Sequence, residues 1–351
     1  MPAAIVGILC CPRHGLRMET REMGLTVGMP VCNAMPWLPE AMESLLQQTT
    51  KGFQILAIVD GGSDDSAPWL RNLENRLARV GFPWPRLRVL EQEHAGITTT
   101  LNRLLYEART PWLVRMDADD VSYPTRIEKL QRAVEEHPDA GLIYSLADYH
   151  PRDRTAGQFR CSRGTPEELQ AMVRSGYLLS ICHSSVALNV EKVRAAGGYR
   201  MDIHAEDADL WWRMALRYQI HCIPEPLVGF RIHAESVSSR NLEAQQLAGV
   251  YVQYLLLSEL WGKQPRPLVE IAESLVEFVQ PSAFEAKEAL RRFNTLLAEK
   301  RYLAGLGALA HAFHASPGYV SRRVREEFHH AVVGNGVAPN KFLRRKEALW
   351  A

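Results

Sequence analysis

The sequence predicts an α/β fold: a mostly parallel sheet flanked by helices, with an all-helical region at the C-terminus. Three observations carry this. From Gly24 to about residue 146, short apolar runs alternate with amphipathic helical patterns at the spacing of βαβ units. The turns after those runs carry Asn33, Asp60, Gly61, Asp64, Gly96 and Asp117, as expected if one edge of the sheet is a binding edge. From Leu242 onward the pattern is helical throughout, broken at 262–267, 280–282 and 316–318.

In chain order, Leu25–Met29 reads as the first strand and Pro36–Gln48 as a helix with Leu38, Met42, Leu45 and Leu46 on one face. Phe53–Val59 is an apolar strand that breaks into the acidic turn DGGSDDS, Asp60–Ser66. A helix to about Val80 follows, then a strand at Leu87–Glu91, a glycine turn at Gly96 and a helix through Ala108. Trp112–Met116 is the central strand, Thr125–His137 a helix and Gly141–Leu146 a further strand. Past residue 150 the alternation fades. Residues 151–164 read as hairpin or loop, and Thr165–Glu168 as a capping box whose helix ends near Gly176. His183–Leu188 is a small-residue strand, Val190–Ala196 a short helix, Ala205–Tyr218 a strong helix and Leu227–Ile232 a last strand. Three or four amphipathic helices then form a separate appendage.

Composition sets bounds. At 351 residues the chain exceeds one average domain. With 46% hydrophobic and 23% charged residues it has ordinary globular material, and a net charge of +1 gives no reason to expect nucleic acid. The six cysteines form no CxxC pair, which reads as reduced thiols in a cytoplasmic protein. The early apolar run Ala3–Cys11 is far shorter than the ~20 residues of a spanning helix, and residues 1–23 read as a poorly ordered leader or a misassigned start.

The chain is organised around Trp112–Arg126, WLVRMDADDVSYPTR. It places three carboxylates, Asp117, Asp119 and Asp120, at the C-terminal end of a strand, where open α/β sheets put their ligands. Hard divalent cations prefer such oxygens, and Mg²⁺ usually takes one or two protein carboxylates at ~2.1 Å, leaving room for substrate phosphates. An acidic turn capping the next helix explains the same residues, so the other stretches must tip the balance.

Asp60 ends a strand before two glycines, where a carboxylate can accept an N–H from a base or a hydroxyl from a ribose. The loop lacks the lysine of a phosphate loop. Glu206 and Asp207 open a helix, where the dipole is expected to depress their pKa and keep a carboxylate base ionised. His233 stands at the exit of the last strand and can ligate a metal or donate to a phosphate. Each has a bland reading beside it: a capped turn, charge complementarity at a helix start, a surface histidine.

Together and in order, these stretches resemble the catalytic domain of glycosyltransferase family 2. The matching residues are VGMPVCN (Val27–Asn33), VDGGSDDS (Val59–Ser66), EHAGITTTLNRLL (Glu93–Leu105) and RMDADDVSYPTRIEKL (Arg115–Leu130). GGYR (Gly197–Arg200), AEDADLWWRM (Ala205–Met214) and FRIHAESVSS (Phe230–Ser239) complete the set. The resemblance covers residues 24–240, about two-thirds of the chain, and leaves 241–351 as a helical C-terminal region.

It implies an inverting enzyme on the GT-A fold of nucleotide-diphospho-sugar transferases, with Mg²⁺ or Mn²⁺ bridging the diphosphate of a UDP- or dTDP-linked sugar. By position, Pro30, Cys32 and Asn33 would lie under the nucleotide, Asp60 would hold the base, and Gly96 and Asn102 would support the nucleotide side. Asp117 and Arg126 would serve the donor, and Asp119, Asp120 and His233 the metal. Asp207, with Glu206 beside it, matches the catalytic base.

There are three departures. Cys32 replaces the usual aromatic, Gly61 replaces a second acid after Asp60, and no QxxRW motif follows the base, which argues for adding one or a few sugars. The resemblance further implies a glycan or lipid-linked acceptor in surface polysaccharide or glycolipid assembly. Arg322, Arg323, Arg325, Arg344, Arg345 and Lys346 would offer a basic face for peripheral contact with the inner face of a membrane. Packing on the catalytic domain or in a homodimer is the commoner fate of such helices. The alternative function is a non-catalytic scaffold of the same fold, binding a glycan or partner enzyme; loss of the acids would mark it, and all are present.

Overall fold

The computed structural model describes residues 24–80, 85–150, 158–200, 205–233, 242–279, 281–298, 300–329 and 335–351. The leader expected over 1–23, the loop at 151–157 and the side chains of Arg322 and Arg325 lie outside the described residues.

The strands are β1 (Leu25–Val31), β2 (Gln54–Asp60), β3 (Arg86–Gln92), β4 (Trp112–Arg115), β5 (Val121–Ser122), β6 (Leu142–His150), β7 (Val186–Asn189) and β8 (Ile220–Arg231). They form one sheet in the order β3-β2-β1-β4-β7-β6-β8-β5. β3, β2, β1 and β4 are parallel, as the βαβ spacing requires. β7 runs antiparallel to both β4 and β6, and β5 antiparallel to β8, so the far half of the sheet is mixed.

The helices over this region are α1 (Leu38–Leu46), α2 (Ser66–Val80), α3 (Ile97–Glu107), α4 (Arg126–Glu136), α5 (Pro166–Arg174), α6 (Val190–Ala195) and α7 (Glu206–Arg217). Period-two alternation along the strands sorts the core into two layers. Ile55, Ala57 and Val59 of β2 join β1 and the apolar faces of α1, α2 and α4, whereas Leu56 and Ile58 join α3, α5, α6 and α7 on the other face.

Two expected elements differ. The span His183–Leu188 begins as a 3-10 turn, His183–Ser185, before β7. β8 starts at Ile220 rather than Leu227, because Pro224 and Pro226 hide a strand in the sequence. For most of its length β8 pairs only with β6, and the register slips opposite Ser145–Ala147, which lets the prolines lie in a strand without donating.

Seven C-terminal helices follow among the described residues, not three or four: α8 (Leu242–Leu260), α9 (Leu268–Val276), α10 (Pro281–Ala298), α11 (Tyr302–Ala315), α12 (Pro317–His329), α13 (Pro339–Leu343) and α14 (Lys346–Trp350). The first is not amphipathic. Residues Val250–Ser258 are all buried, nine in succession, so α8 is a core helix enclosed on every side. Ile271 and Leu275 of α9, Phe342 of α13 and Leu349 of α14 share the α7 layer, whereas Ala286, Ala289, Ala312 and Val320 of α10–α12 form a small core of their own. Gln253 pins the ends of this layer: its amide donates to the carbonyl oxygens of Gly176 (2.8 Å) and Val337 (2.6 Å) and accepts from the Val337 N–H (2.8 Å). No described helix is long and apolar enough to cross a membrane.

Candidate active site

The order β3-β2-β1-β4 reverses direction between β1 and β4, and the crevice outside that switch point is where ligands bind in open α/β sheets. β4 widens it. Its pairing with β1 stops at Gly28↔Arg115, two residues short of Pro30, which has no N–H for the ladder. Pro30 is buried in β1, and Cys32 and Asn33 follow it into solvent. Asn33 takes φ 49°, and its Oδ1 accepts the Ser63 N–H at 2.8 Å. Gly62 (φ 107°) is needed opposite, since a Cβ there would lie 2.9 Å from that oxygen. Burial, then Asp60 and Asp64, raise the Cys32 thiol above its ordinary pKa.

Asp60, only 3% exposed, is fully engaged within the protein. Oδ1 accepts from Gln92 Nε2 (2.7 Å) and the Ala95 N–H (2.8 Å), and Oδ2 from the Gly96 N–H (2.9 Å), with His94 Nδ1 at 3.2 Å. Its carboxylate thus closes the 93–96 turn onto β2. Asn102 is likewise internal: its amide donates to the Tyr199 carbonyl (2.8 Å) and accepts from the Tyr199 N–H (2.9 Å). Arg126 lies beneath the site rather than in it. Fully buried, it donates to the carbonyls of Arg115 (2.7 Å) and Ser184, and burial lowers its pKa to about 10. An arginine without surface cannot touch a donor. It ties the end of β4 to the 3-10 turn.

The acid cluster sits above it. One carboxylate oxygen from each of Asp117, Asp119 and Asp120 lies within 4.8 Å of the others. Asp117 Oδ1 accepts from Arg115 Nη2 and Oδ2 from Ser184 Oγ, both at 2.6 Å. Burial works to raise its pKa, but Arg115, His183 and the Ser184 hydroxyl bring it below the ordinary carboxylate value. Asp119 and Asp120 are shifted up, by burial first and then by Asp117, with Asp119 adding to the effect on Asp120. The exit of β8 closes the cluster: Arg231 N–H donates to Asp120 Oδ1 (2.8 Å), Arg231 Nε to the Asp119 carbonyl (2.7 Å), and His233 Nε2 is 2.9 Å from Asp119 Oδ2. Trp37 lies against the His233 ring, centroids 3.9 Å apart. Asp120 Oδ2 is buried and has no hydrogen-bond partner among the described residues. An orphaned oxygen among three mutually repelling carboxylates fits a divalent cation, whose charge would relieve both conditions.

Glu206 and Asp207 open α7, a helix anchored by the buried pair Asp209–Arg213 (2.8 Å), whose guanidinium also donates to the carbonyls of Ala196 (2.6 Å) and Gly198 (2.7 Å). The expectation that the helix dipole depresses their pKa fails. Burial, then Asp207, pushes Glu206 up to about 7, and burial raises Asp207 although its Oδ1 accepts the Ala208 N–H at 2.7 Å. Desolvation outweighs the dipole because both carboxyls are largely taken out of water, and the charge of Asp117 adds to the rise. A carboxyl near 7 is poised for proton transfer at neutral pH. Arg115 reaches both ends of the cleft, lowering Asp117, Glu206 and Asp207 alike.

The sequence reading passed over Arg115, Ser184, His183 and the side chains of Tyr199 and Arg231. Three of these lie inside the motif stretches RMDADD, GGYR and FRIH; the HSS turn of His183–Ser185 has no signal beyond small residues.

Residues 26–193 match the family described as Glycosyl transferase family 2. The chain is 28% identical over 208 residues to the amylovoran biosynthesis glycosyltransferase AmsE of Erwinia amylovora, covering 58% of this chain and 74% of that one. It is 25% identical over 304 residues to the uncharacterized glycosyltransferase YibD of Escherichia coli K12, covering 80% and 83%. In fold it resembles the crystal structure of S. aureus TarS 1–349 in complex with UDP-GlcNAc, with a TM-score of 0.53 and 13% identity over 83% of this chain and 81% of that one. Residues 26–193 form a glycosyltransferase family 2 region, and the chain is built on the GT-A fold.

Proposed function

We propose that the protein transfers a sugar from a nucleoside-diphosphate donor to an acceptor hydroxyl, with inversion and with Mg²⁺ or Mn²⁺ at the acid cluster, and that residues 24–240 form the catalytic unit. The observation that carries the reading is the orphaned Asp120 Oδ2 within the Asp117–Asp119–Asp120 cluster, on the same cleft as the raised carboxyls of Glu206 and Asp207. Asp119, Asp120 and His233 would hold the cation, which supplies Lewis-acid stabilisation of the diphosphate leaving group. Asp117, clamped by Arg115 and Ser184, presents a fixed negative charge and shapes the loop. Asp207, with Glu206 beside it, takes the acceptor proton as the acceptor oxygen bonds to the anomeric carbon and the bond to diphosphate breaks. Cys32, Asn33 and Gly96 border the nucleotide side, Pro30 supports them from the strand, and Asp60 and Asn102 fix the turns around it.

The relative AmsE, named for amylovoran biosynthesis, and TarS, crystallised with UDP-GlcNAc, support a UDP-type donor and a role in surface polysaccharide or glycolipid assembly. A cytoplasmic setting, with the C-terminal helices touching a membrane face or a second protomer, fits a lipid-linked acceptor.

The test is a thermal-shift screen of UDP, dTDP, GDP and their glucose, N-acetylglucosamine and mannose conjugates, with and without Mn²⁺. Native-state binding at a hundredfold excess over Kd stabilises by about 2.7 kcal/mol, enough to move the transition. One nucleotide family should shift the protein, only with metal, and Asp120→Asn should abolish the metal dependence. No shift with any of them would overturn the donor reading.

A further inference from the structure

Beside the acid cluster stand two polar side chains that no step above uses, His183 and Tyr199. Their chain neighbours are firmly placed. Ser184 is bonded to Asp117, and the backbone of Tyr199 is clamped by Asn102. His183 Nε2 is 2.9 Å from Tyr199 Oη, and its ring meets Trp211 edge-on, centroids 5.6 Å apart at 82°. The charges of both acidic groups act on the pair. His183 couples to Arg115 and Asp117, and Tyr199 to Glu206, Asp207 and Asp117.

Burial and then Arg115 push the His183 imidazole down to about 3, so it is neutral at working pH and carries a single proton. Burial raises Tyr199, which stays a phenol. A phenol O–H is a better donor than a neutral imidazole N–H, and an imidazole nitrogen a better acceptor than a phenol oxygen. The contact is therefore ordered as Oη–H donating to Nε2, which leaves the proton on Nδ1. Nδ1 makes no hydrogen bond to any described residue. In a displacement at the anomeric carbon, the sugar must occupy the space between the diphosphate and the base. A neutral donor suits sugar hydroxyls there, because it adds no charge to a cleft whose acids already shift one another.

We propose that His183 is a donor-sugar contact whose Nδ1–H, set in that tautomer by Tyr199, binds a hydroxyl oxygen of the transferred sugar. This rests on the donor reading above and names a residue that recognises the sugar rather than the nucleotide or metal.

The experiment is calorimetric titration, with Mn²⁺ present, of the wild type, His183→Ala, His183→Asn and Tyr199→Phe. The probes are the nucleoside diphosphate that shifts the wild type in the screen above and its sugar conjugates. His183→Ala should bind the diphosphate with wild-type affinity and lose about 5–10-fold on the sugar conjugate, the worth of one hydrogen bond. His183→Asn, which keeps an N–H, should recover part of that loss, and Tyr199→Phe should lose a smaller share by releasing the tautomer. If His183→Ala weakens both ligands equally, or neither, the sugar contact is wrong while the donor site stands. If the wild type itself binds no nucleotide, the donor reading fails and this inference with it.

Discussion

The two acidic ends of the cleft are held in opposite ways. At the end of β4, Asp117 has both oxygens taken, Asp119 is met by His233, and Arg231 donates to Asp120 and to the Asp119 carbonyl. At the start of α7, the Asp207 carboxylate accepts the N–H of the next residue, a bond within its own turn. Both ends are half-buried and acid-rich, yet one is tied to β8, Arg115 and the 3-10 turn, while the other is set by the placement of its helix. The difference suits the two tasks proposed for them. A cation site needs fixed oxygens, since misplaced ligands lose affinity. A proton-accepting carboxyl needs an unsaturated oxygen and a pKa near the working pH.

The sharpest way to break this comparison is Asp207→Asn, which keeps the shape and removes the proposed base. Turnover should fall by about 10²–10⁴ while nucleotide binding with Mn²⁺ stays at wild-type strength. A fall in binding with no separate loss of rate would show that the two ends do not divide the work. Next in size is the brace under the acid cluster. Arg126→Leu leaves the carbonyls of Arg115 and Ser184 buried without their donor, at about 1–3 kcal/mol each, and denaturant unfolding should show it. An unchanged midpoint would mean the strand end is held by other contacts.

The smallest effect concerns pH. The Glu206 carboxyl, at 4.5 in an unfolded chain, is pushed up to about 7 in the fold by burial and by Asp207. The folded state therefore binds this proton more tightly. Its contribution to stability is full below 4.5 and is lost as pH rises to about 7. In Glu206→Gln that loss is absent, so Tm should fall less than in the wild type between about pH 5 and 8. Parallel Tm curves for the two proteins would show that Glu206 is ionised without cost.

Much of the fold was legible because it rests on local periodicity. The apolar runs of β1, β2 and β4 and the 3.6-residue faces of α1, α3 and α4 need no knowledge of neighbours. Reading failed where a neighbour changes the meaning of a residue. Pro224 and Pro226 read as breakers, but an edge strand with a register slip accepts them. Leu242–Leu260 was read as one of a set of amphipathic helices, but it is enclosed by a core that the sequence does not display.

The same division runs through the site. The sequence by itself determined the inventory: three acids after a strand, a Glu-Asp pair opening a helix, and a His at the exit of the last strand. Residue type and position within an element are local properties, and the chain carries them openly. Only the tertiary structure decided what each residue does. It buried Arg126 as a brace, saturated Asp60, clamped Asp117 with Arg115 and Ser184, and raised Glu206 where a helix dipole alone would lower it. Hydrogen-bond partners, desolvation and the field of distant charges come from residues far apart in the chain, and they exist only once the sheet has closed around them.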